Sequence, residues 1–245
     1  MDQPVLFKAL LIGNSIFDVA PHTLPPLKGP LNDIRILRET LSHPQVGLFK
    51  DSDIKVLIDL SRQEIITEIE SFFLNSNVND QLLLYYSGHG ILDIKSNLYL
   101  CARDTDPDRK VSTSISDSQI NNLILDSASS RIIIVLDCCH SGRFKSEFCI
   151  PETLYGEGRI VISSTRAREL AVDAQNEDSP SAFTKFFAEA LLSGEVDSNE
   201  DGLISITEIY QYIEPRLRNE FKQTPQMKFD EAIGEIVMGK SVFRR

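Results

Sequence analysis

The chain has no tryptophan, only four cysteines in 245 residues, and no apolar run long enough to span a bilayer. Its N-terminus, Met1–Pro4, lacks the basic segment that opens a signal peptide, and the first apolar run stops at Gly13. We therefore expect a cytoplasmic protein whose cysteines are reduced thiols. Cys138 and Cys139 are adjacent, which is not a zinc-ligand spacing. The sequence thus disfavours a disulfide scaffold, a structural zinc site and a membrane span.

Positive charge is also scarce, because 25 Lys and Arg residues stand against 36 Asp and Glu residues, a net charge of −11. Such a chain repels phosphate backbones and anionic membranes, so we expect neither nucleic acid nor a membrane among its partners. Basic segments of other proteins would be attracted. With 42% hydrophobic residues and no internal repeat, the sequence predicts a single domain with a full core.

Strand-like and helix-like segments alternate along the chain. Short apolar runs predict six strands, and stripes of apolar residues at helical spacing predict helices between them. The strand candidates are Phe7–Ile12, Lys55–Ile58, Gln81–Leu84, Arg131–Leu136, Arg159–Ser163 and Glu235–Met238. Capping boxes at Ser61–Glu64 and Ser116–Gln119, and a predicted N-cap at Ser179, mark helix starts. The pattern predicts an α/β fold with an open, mostly parallel six-stranded sheet and helices on both faces.

Two of the predicted strands end in residues that carry chemistry. One leads into Ser87–Gly90 and the other into Asp137–Gly142. The carboxyl ends of parallel strands meet at one edge of a sheet, so we expect His89 and Cys139 to lie close together. A cysteine at a strand end is often simply part of the core. Here the polar sequence His-Ser-Gly follows Cys139, and a glycine-flanked histidine shares the edge, which favours a site.

A thiol beside an imidazole is an activated nucleophile, because the imidazole raises the fraction of thiolate. Cys139 would attack a carbonyl carbon to form a thioester, and His89 would hold the proton and return it to the leaving amine. The backbone amides of Gly90 and Cys139 would form the oxyanion hole. His140 is a rival base, but neighbouring side chains in a strand point apart, which favours a structural role for it.

The two motifs, Ser-Gly-His-Gly and Asp-x-Cys-His-Ser-Gly, resemble those of the caspase and metacaspase family of cysteine peptidases, in its prokaryotic branch. Further stretches are similar in order and spacing, namely Ala9–Asn14, Leu24–Asp33 and Gln223–Gln226. The resemblance implies a caspase-like fold and identifies His89 and Cys139 as the catalytic dyad. Cys138 is then a core neighbour. The resemblance implies no cofactor for the chemistry and allows a monomer.

The resemblance covers nearly the whole chain, so it implies one peptidase domain over residues 1–245. About 1–145 would correspond to the large portion of related enzymes, and about 158–245 to the small portion. The segment 143–159 between them contains basic residues, so we consider self-cleavage there. A free protease also needs restraint, so a regulatory partner protein is expected.

A substrate preference follows from the resemblance. Metacaspase-like members cut after Arg or Lys, and the Asp that opens the Asp-x-Cys-His-Ser-Gly motif is one of their pocket acids; here it is Asp137. Asp173 resembles a second pocket position more loosely. A carboxylate pairs with a basic P1 side chain and repels an acidic one. Arg166 and Arg168 lie in the same loop as Asp173 and argue for an acidic P1 residue instead.

Residues 197–208 match the calcium loop of an EF-hand at each defining position. The oxygen ligands would come from Asp197, Asn199, Asp201, the Leu203 carbonyl, Ser205 and Glu208. An alternative remains, because Ser205 and Glu208 also form a capping box and EF-hands usually act in pairs. We predict calcium binding of structural rather than regulatory use.

Two other functions remain open. The chain could be an idle family member that acts as a scaffold or calcium-dependent interaction module, although an intact dyad speaks against this. It could also pass the acyl group from Cys139 to an amine as an acyl transferase. Product analysis separates hydrolysis from transfer, and mutation of Cys139 separates both from a scaffold.

Overall fold

A computed structural model describes residues 5–140, 150–164, 179–229 and 235–242, and the side chains of Cys139 and His140 lie outside this description. The strands are β1 (Phe7–Gly13), β2 (Ile54–Ile58), β3 (Gln81–Leu92), β4 (Leu98–Cys101), β5 (Ser114–Ser116), β6 (Ile132–His140), β7 (Arg159–Ser163), β8 (Leu203–Ser205), β9 (Gln226–Phe229) and β10 (Val237–Lys240). The helices are α1 (Gly29–Leu41), α2 (Arg62–Leu74), α3 (Lys110–Thr113), α4 (Asp117–Leu125), α5 (Ala182–Ser193) and α6 (Ile206–Arg216).

The main sheet has the strand order β2-β1-β3-β6-β7-β9. Its neighbouring pairs from β2 to β7 are parallel, and β9 closes the edge antiparallel to β7. The end of β3 continues past the parallel region and pairs with β4, which pairs with β5. The predicted α/β fold with a mostly parallel sheet is therefore confirmed, and the β4–β5 extension adds to the six strands.

The position of the sixth strand was predicted wrongly. The strand expected at Glu235–Met238 forms at Val237–Lys240, but it pairs with β8 in a separate two-stranded sheet. The sixth strand of the main sheet is Gln226–Phe229. Its burial is only intermediate, since it lies at the sheet edge, and its sequence lacks the apolar run that marks the buried strands.

Two cores lie on opposite faces of the main sheet. On one face α1, α5 and α6 pack against the sheet through residues such as Leu37, Phe187 and Ile209. On the other face α2 and α4 pack through residues such as Phe73 and Ile124. Both faces of β3 and the central strands are thus covered, which explains their continuous apolar sequences.

Local signals correctly predicted most of the helix starts. The capping boxes at Ser61, Ser116 and Ser205 are present with both of their hydrogen bonds. The start of α5 differs by two residues, because Ser181 rather than Ser179 accepts the capping hydrogen bond from the Thr184 N–H. Across the described ranges, no helix is both long and apolar enough to cross a membrane.

Candidate active site

The predicted dyad positions are direct neighbours in the sheet. In the parallel ladder between β3 and β6, His89 is the register partner of Cys139, and Gly90 is the partner of His140. Adjacent strands lie about 4.8 Å apart, so the two backbones meet at the carboxyl end of the parallel region. The sheet therefore brings the histidine and cysteine positions together by backbone pairing.

The ring of His89 is held by the loop between β1 and α1 (residues 14–28). It is 6% exposed, its Nε2 lies 2.8 Å from the Pro25 carbonyl oxygen, and its centroid lies 4.8 Å from that of Phe17. A carbonyl oxygen only accepts hydrogen bonds, so the proton of the neutral ring is on Nε2. Nδ1 is then the basic nitrogen. The loop sets both the orientation of the ring and its tautomer.

The backbone carbonyl of His89 is held by the side chain of Tyr86. The Tyr86 hydroxyl lies 2.8 Å from the His89 carbonyl oxygen and 2.7 Å from the Cys101 carbonyl oxygen on β4. This closeness requires glycine at position 88, since a Cβ on Gly88 would lie 2.5 Å from the Tyr86 hydroxyl. The missing side chain at Gly88 therefore leaves space for the Tyr86 hydroxyl to reach the His89 carbonyl.

Two buried carboxyl groups lie just below the dyad positions. Asp137 precedes Cys139 by two residues and is the register partner of Ser87. Asp33, on α1, accepts hydrogen bonds from the Ser87 hydroxyl and the Ser181 N–H, each at 2.7 Å. The Ser181 hydroxyl donates to Asp137. Ser181 thus joins the two carboxyl groups, and we call Asp33 and Asp137 the acidic pair.

Burial raises the pKa values of both carboxyl groups of the acidic pair. Asp33 is 0% exposed and Asp137 is 5% exposed. Burial, followed by the negative charge of Asp137, raises the pKa of Asp33 to about 8, although hydrogen bonds from Ser87 and Ser181 oppose the shift. Burial also raises the pKa of Asp137. The pair therefore holds at least one proton at neutral pH.

Further hydroxyl groups and a helix end surround Asp137. The Tyr85 hydroxyl lies 3.3 Å and the Thr184 hydroxyl 3.4 Å from the Asp137 carboxylate oxygen that Ser181 also contacts. Ser181 is the N-cap of α5, so the positive end of this helix faces the acidic pair. These groups favour the ionised form and leave the pair poised between protonation states.

Several predicted residues lie outside the described part of the chain. They are Asp173, Arg166 and Arg168, together with residues 143–149 of the considered self-cleavage segment. The side chain of the rival base His140 is also outside the description. Cys138 is buried among the apolar residues of the opposite face, as expected for a core neighbour.

Asp33 and Ser181 were not predicted as site residues. A signal for Asp33 was present, because it precedes Leu37 by four residues and Leu41 by eight, on the stripe that α1 buries. An acidic residue in an inward stripe is unusual and indicates a paired or functional group. Ser181 offered no comparable signal, because its contact with Asp137 joins residues 44 positions apart.

The loop 197–208 is closed by its own hydrogen bonds. Asp197 accepts from two backbone N–H groups later in the loop. Both carboxylate oxygens of Glu208 are engaged, one by Ser198 and the other by Ser205, at 2.7 to 2.9 Å. The remaining predicted ligand positions are exposed, namely Asn199, Asp201 and Leu203. Among the residues described, no three His, Cys, Asp or Glu side chains are grouped to hold a metal ion.

Comparison with known proteins gives a consistent result. A family model for the caspase domain, Peptidase C14, matches residues 7–233. Metacaspase-3 of Trypanosoma cruzi (strain CL Brener) is 26% identical over 167 residues, which make up 61% of this chain and 43% of that protein. The chain thus spans less than half the length of this relative.

Solved structures show the same fold. Protein GSU0716 from Geobacter sulfurreducens is 16% identical with a TM-score of 0.66, over 94% of this chain and 97% of that one. Caspase-1 from Spodoptera frugiperda is 15% identical, also with a TM-score of 0.66, over 100% of this chain and 94% of that one.

Proposed function

Because the chain belongs to the caspase-domain family of cysteine peptidases, we propose that it hydrolyses protein substrates after Arg or Lys, using His89 and Cys139. The observation that carries the proposal is the register of β3 and β6, in which the dyad positions are partners and Asp137 precedes Cys139 by two residues. A nucleophile, a base and an acidic pair are thereby gathered at one sheet edge.

In the proposed reaction, the Cys139 thiolate attacks the scissile carbonyl carbon, and a C–S bond forms. His89 takes the thiol proton on Nδ1 and gives it to the leaving amine as the C–N bond breaks. Water then attacks the thioester with His89 as the base, which releases the acid and restores the thiol. The bond from Nε2 to the Pro25 carbonyl supports this role, since it keeps the lone pair on Nδ1.

The oxyanion would be stabilised by backbone amides. The amides of Gly90 and Cys139 stay the predicted donors, and both residues lie at the end of the parallel region in which β3 pairs with β6. A single donor of this kind is typically worth about 3 kcal/mol in the transition state.

The acidic pair is the proposed recognition site for the basic P1 side chain. Two carboxyl groups joined by Ser181 offer a guanidinium or ammonium group up to two negative charges, and they repel an acidic side chain. Asp33 thereby takes the place of a second pocket acid beside Asp137. Asp173 stays a prediction that lies outside the described residues.

The test uses fluorogenic peptides that differ only at P1, as Arg, Lys, Asp or Ala. We expect turnover after Arg and Lys, background rates for Cys139→Ala, and retained activity for Cys138→Ala, the matched control for loss of an adjacent thiol. A preference for Asp would overturn the pocket assignment. Turnover that survives Cys139→Ala would overturn the dyad. Products joined to an added amine would indicate acyl transfer, and no turnover under any condition would favour the scaffold.

Calcium binding at the loop 197–208 stays a prediction with a separate test. To act as a bidentate ligand, Glu208 would have to exchange the hydrogen bonds from Ser198 and Ser205 for the ion. If it does so, millimolar calcium should raise the melting temperature of the wild type but not of Asp197→Asn. Equal melting temperatures with and without calcium would assign the loop to helix capping alone.

A further inference from the structure

We propose that Asp59, which follows β2, is a positioning residue for His89 and acts through the 14–28 loop. The proposal rests on the proposed function, in which His89 is the base. Asp59 contacts the beginning of this loop. Its role follows from a chain of hydrogen bonds that leads from its carboxylate to the imidazole ring.

The first step of that chain is the contact between Asp59 and the beginning of the loop. One carboxylate oxygen of Asp59 accepts hydrogen bonds from the Ser15 N–H at 2.6 Å and the Ile16 N–H at 2.9 Å. The Asp59 N–H donates to the Gly13 carbonyl at 3.0 Å. Asp59 therefore fixes the corner at which the chain leaves β1.

The second step connects this corner to the histidine. The Ser15 carbonyl accepts a hydrogen bond from the Leu27 N–H at 3.0 Å, which ties the two ends of the loop together. Between these ends the loop carries Phe17 and Pro25, which contact the His89 ring. A shift of the corner is thus transmitted to these contacts.

The backbone conformation of Asp59 restricts this position to a few residue types. Its φ is +48°, in the left-handed region that favours glycine and is tolerated by Asp and Asn. Asparagine keeps both this conformation and an acceptor oxygen, glycine keeps only the conformation, and alanine keeps neither. The three substitutions therefore separate the hydrogen bonds from the backbone strain.

The hydrogen bonds of the acidic pair come from outside this loop. Asp33 and Asp137 are held by Ser87 and Ser181, which belong to β3 and to the start of α5. Loss of the Asp59 contacts should therefore disturb the base without disturbing P1 recognition. The expected signature is a lower kcat with little change in KM for an Arg peptide.

The experiment compares wild type with Asp59→Asn, Asp59→Gly and Asp59→Ala. The control is Lys222→Ala, which replaces another left-handed residue (φ +57°) whose side chain bonds the Asn219 carbonyl. We expect kcat to fall roughly tenfold or more for Asp59→Gly and Asp59→Ala, as misplacement of a catalytic group predicts. Asp59→Asn should stay close to wild type, and so should Lys222→Ala.

A second measurement does not require activity. ¹⁵N NMR of the histidine rings, with the His89 signal assigned by His89→Gln, reports the tautomer directly. We expect the Nε2–H form in wild type and Asp59→Asn, and a mixture in Asp59→Gly. An unchanged His89 tautomer and an unchanged kcat in folded Asp59→Gly would overturn the proposal. If the wild type shows the Nε2–H form but cleaves no peptide, the proposed function is contradicted. The comparison of the His89 tautomer between wild type and Asp59→Gly then decides the role of Asp59 alone.

Discussion

At the scale of single residues, the acidic pair places two carboxyl groups side by side in a buried position. An isolated buried carboxylate is strongly destabilised, and two together are worse, so a proton is retained between them. Entry of a cation reverses this balance, because the ionised pair becomes the favoured form once a guanidinium or ammonium lies beside it. Recognition of a basic side chain should therefore be accompanied by proton release.

The proton release predicts that selectivity depends on pH. Asp33 has a pKa of about 8, so its carboxyl group becomes ionised as pH rises through that value, and attraction for a basic P1 grows. We expect the ratio of kcat/KM for Arg over Ala peptides to rise between about pH 6 and about pH 9. The ionisation of His89 and Cys139 changes the rates for both peptides by the same factor, so it cancels in the ratio. In Asp33→Asn the ratio should be lower and flat, and an equally steep rise in that variant would exclude Asp33 from the pocket.

Sequence reasoning at this scale identified candidate residues where the signal was a motif and missed them where the signal was a contact. Asp137 is named by its place two residues before Cys139 in a strand end. Asp33 reaches the same site only because α1 packs on the sheet and presents it to Ser87, 54 residues away. The sequence pattern indicates that a polar residue lies on the buried face of a helix, but it does not identify the residues that this side chain contacts.

At the scale of secondary-structure elements, helix starts were predictable because capping is local. Ser116 and Gln119 are three residues apart, and the side chain of each accepts a hydrogen bond from the backbone N–H of the other. The start of α5 was misplaced because Ser181 serves two partners, the Thr184 N–H of its own helix and the distant Asp137. The pairing of β10 with β8 was missed for the same reason, since strand partners are set by tertiary structure.

The double role of Ser181 can be separated from simple capping. Ser116→Ala and Ser181→Ala each remove an N-cap hydroxyl, so each should lower the free energy of unfolding by about 1 kcal/mol in urea titrations. Only Ser181→Ala also removes a donor to the acidic pair, so only it should change the Arg-over-Ala selectivity ratio. A selectivity change of the same size in Ser116→Ala would mean that lost stability, rather than the contact with Asp137, is the cause.

At the scale of the whole molecule, the sheet was predictable in type but not in order. Repeated β-then-α segments indicate parallel strands, and the four parallel pairings from β2 to β7 agree. The order β2-β1-β3-β6-β7-β9 and the antiparallel edge strand β9 follow from packing between segments far apart in sequence. The proposed function depends on the pairing of β3 with β6 at the positions of His89 and Cys139. The strand ends in the sequence already predicted that these two positions lie close together.

The acidic pair also affects the stability of the entire fold. The pKa of Asp33 is raised from 3.8 to about 8 on folding, so its contribution to stability is complete below pH 3.8 and is lost as pH rises through about 8. We expect Asp33→Asn to gain stability relative to wild type progressively between about pH 4 and about pH 8, with no further gain above that pH, measured by urea titration.

Asp51→Asn is the matched control for this prediction. Asp51 is an exposed acid whose pKa is lowered by its hydrogen bond with Arg38, so it is already ionised across that range. Its difference from wild type should be independent of pH. If the Asp33→Asn difference were equally constant, the Asp33 carboxyl group would be ionised in the folded protein throughout the range.

The ladder between β3 and β6 continues without interruption from Leu82 with Ile132 to Gly90 with His140, and β3 is buried along its whole length. Amide groups in such a region exchange their hydrogens with solvent only when the whole molecule unfolds. We therefore expect the dyad positions to belong to the last cooperative unit to open. A molecule that regulates the proposed activity is therefore expected to act on the loops around the sheet edge, because melting these strands would destroy the fold itself.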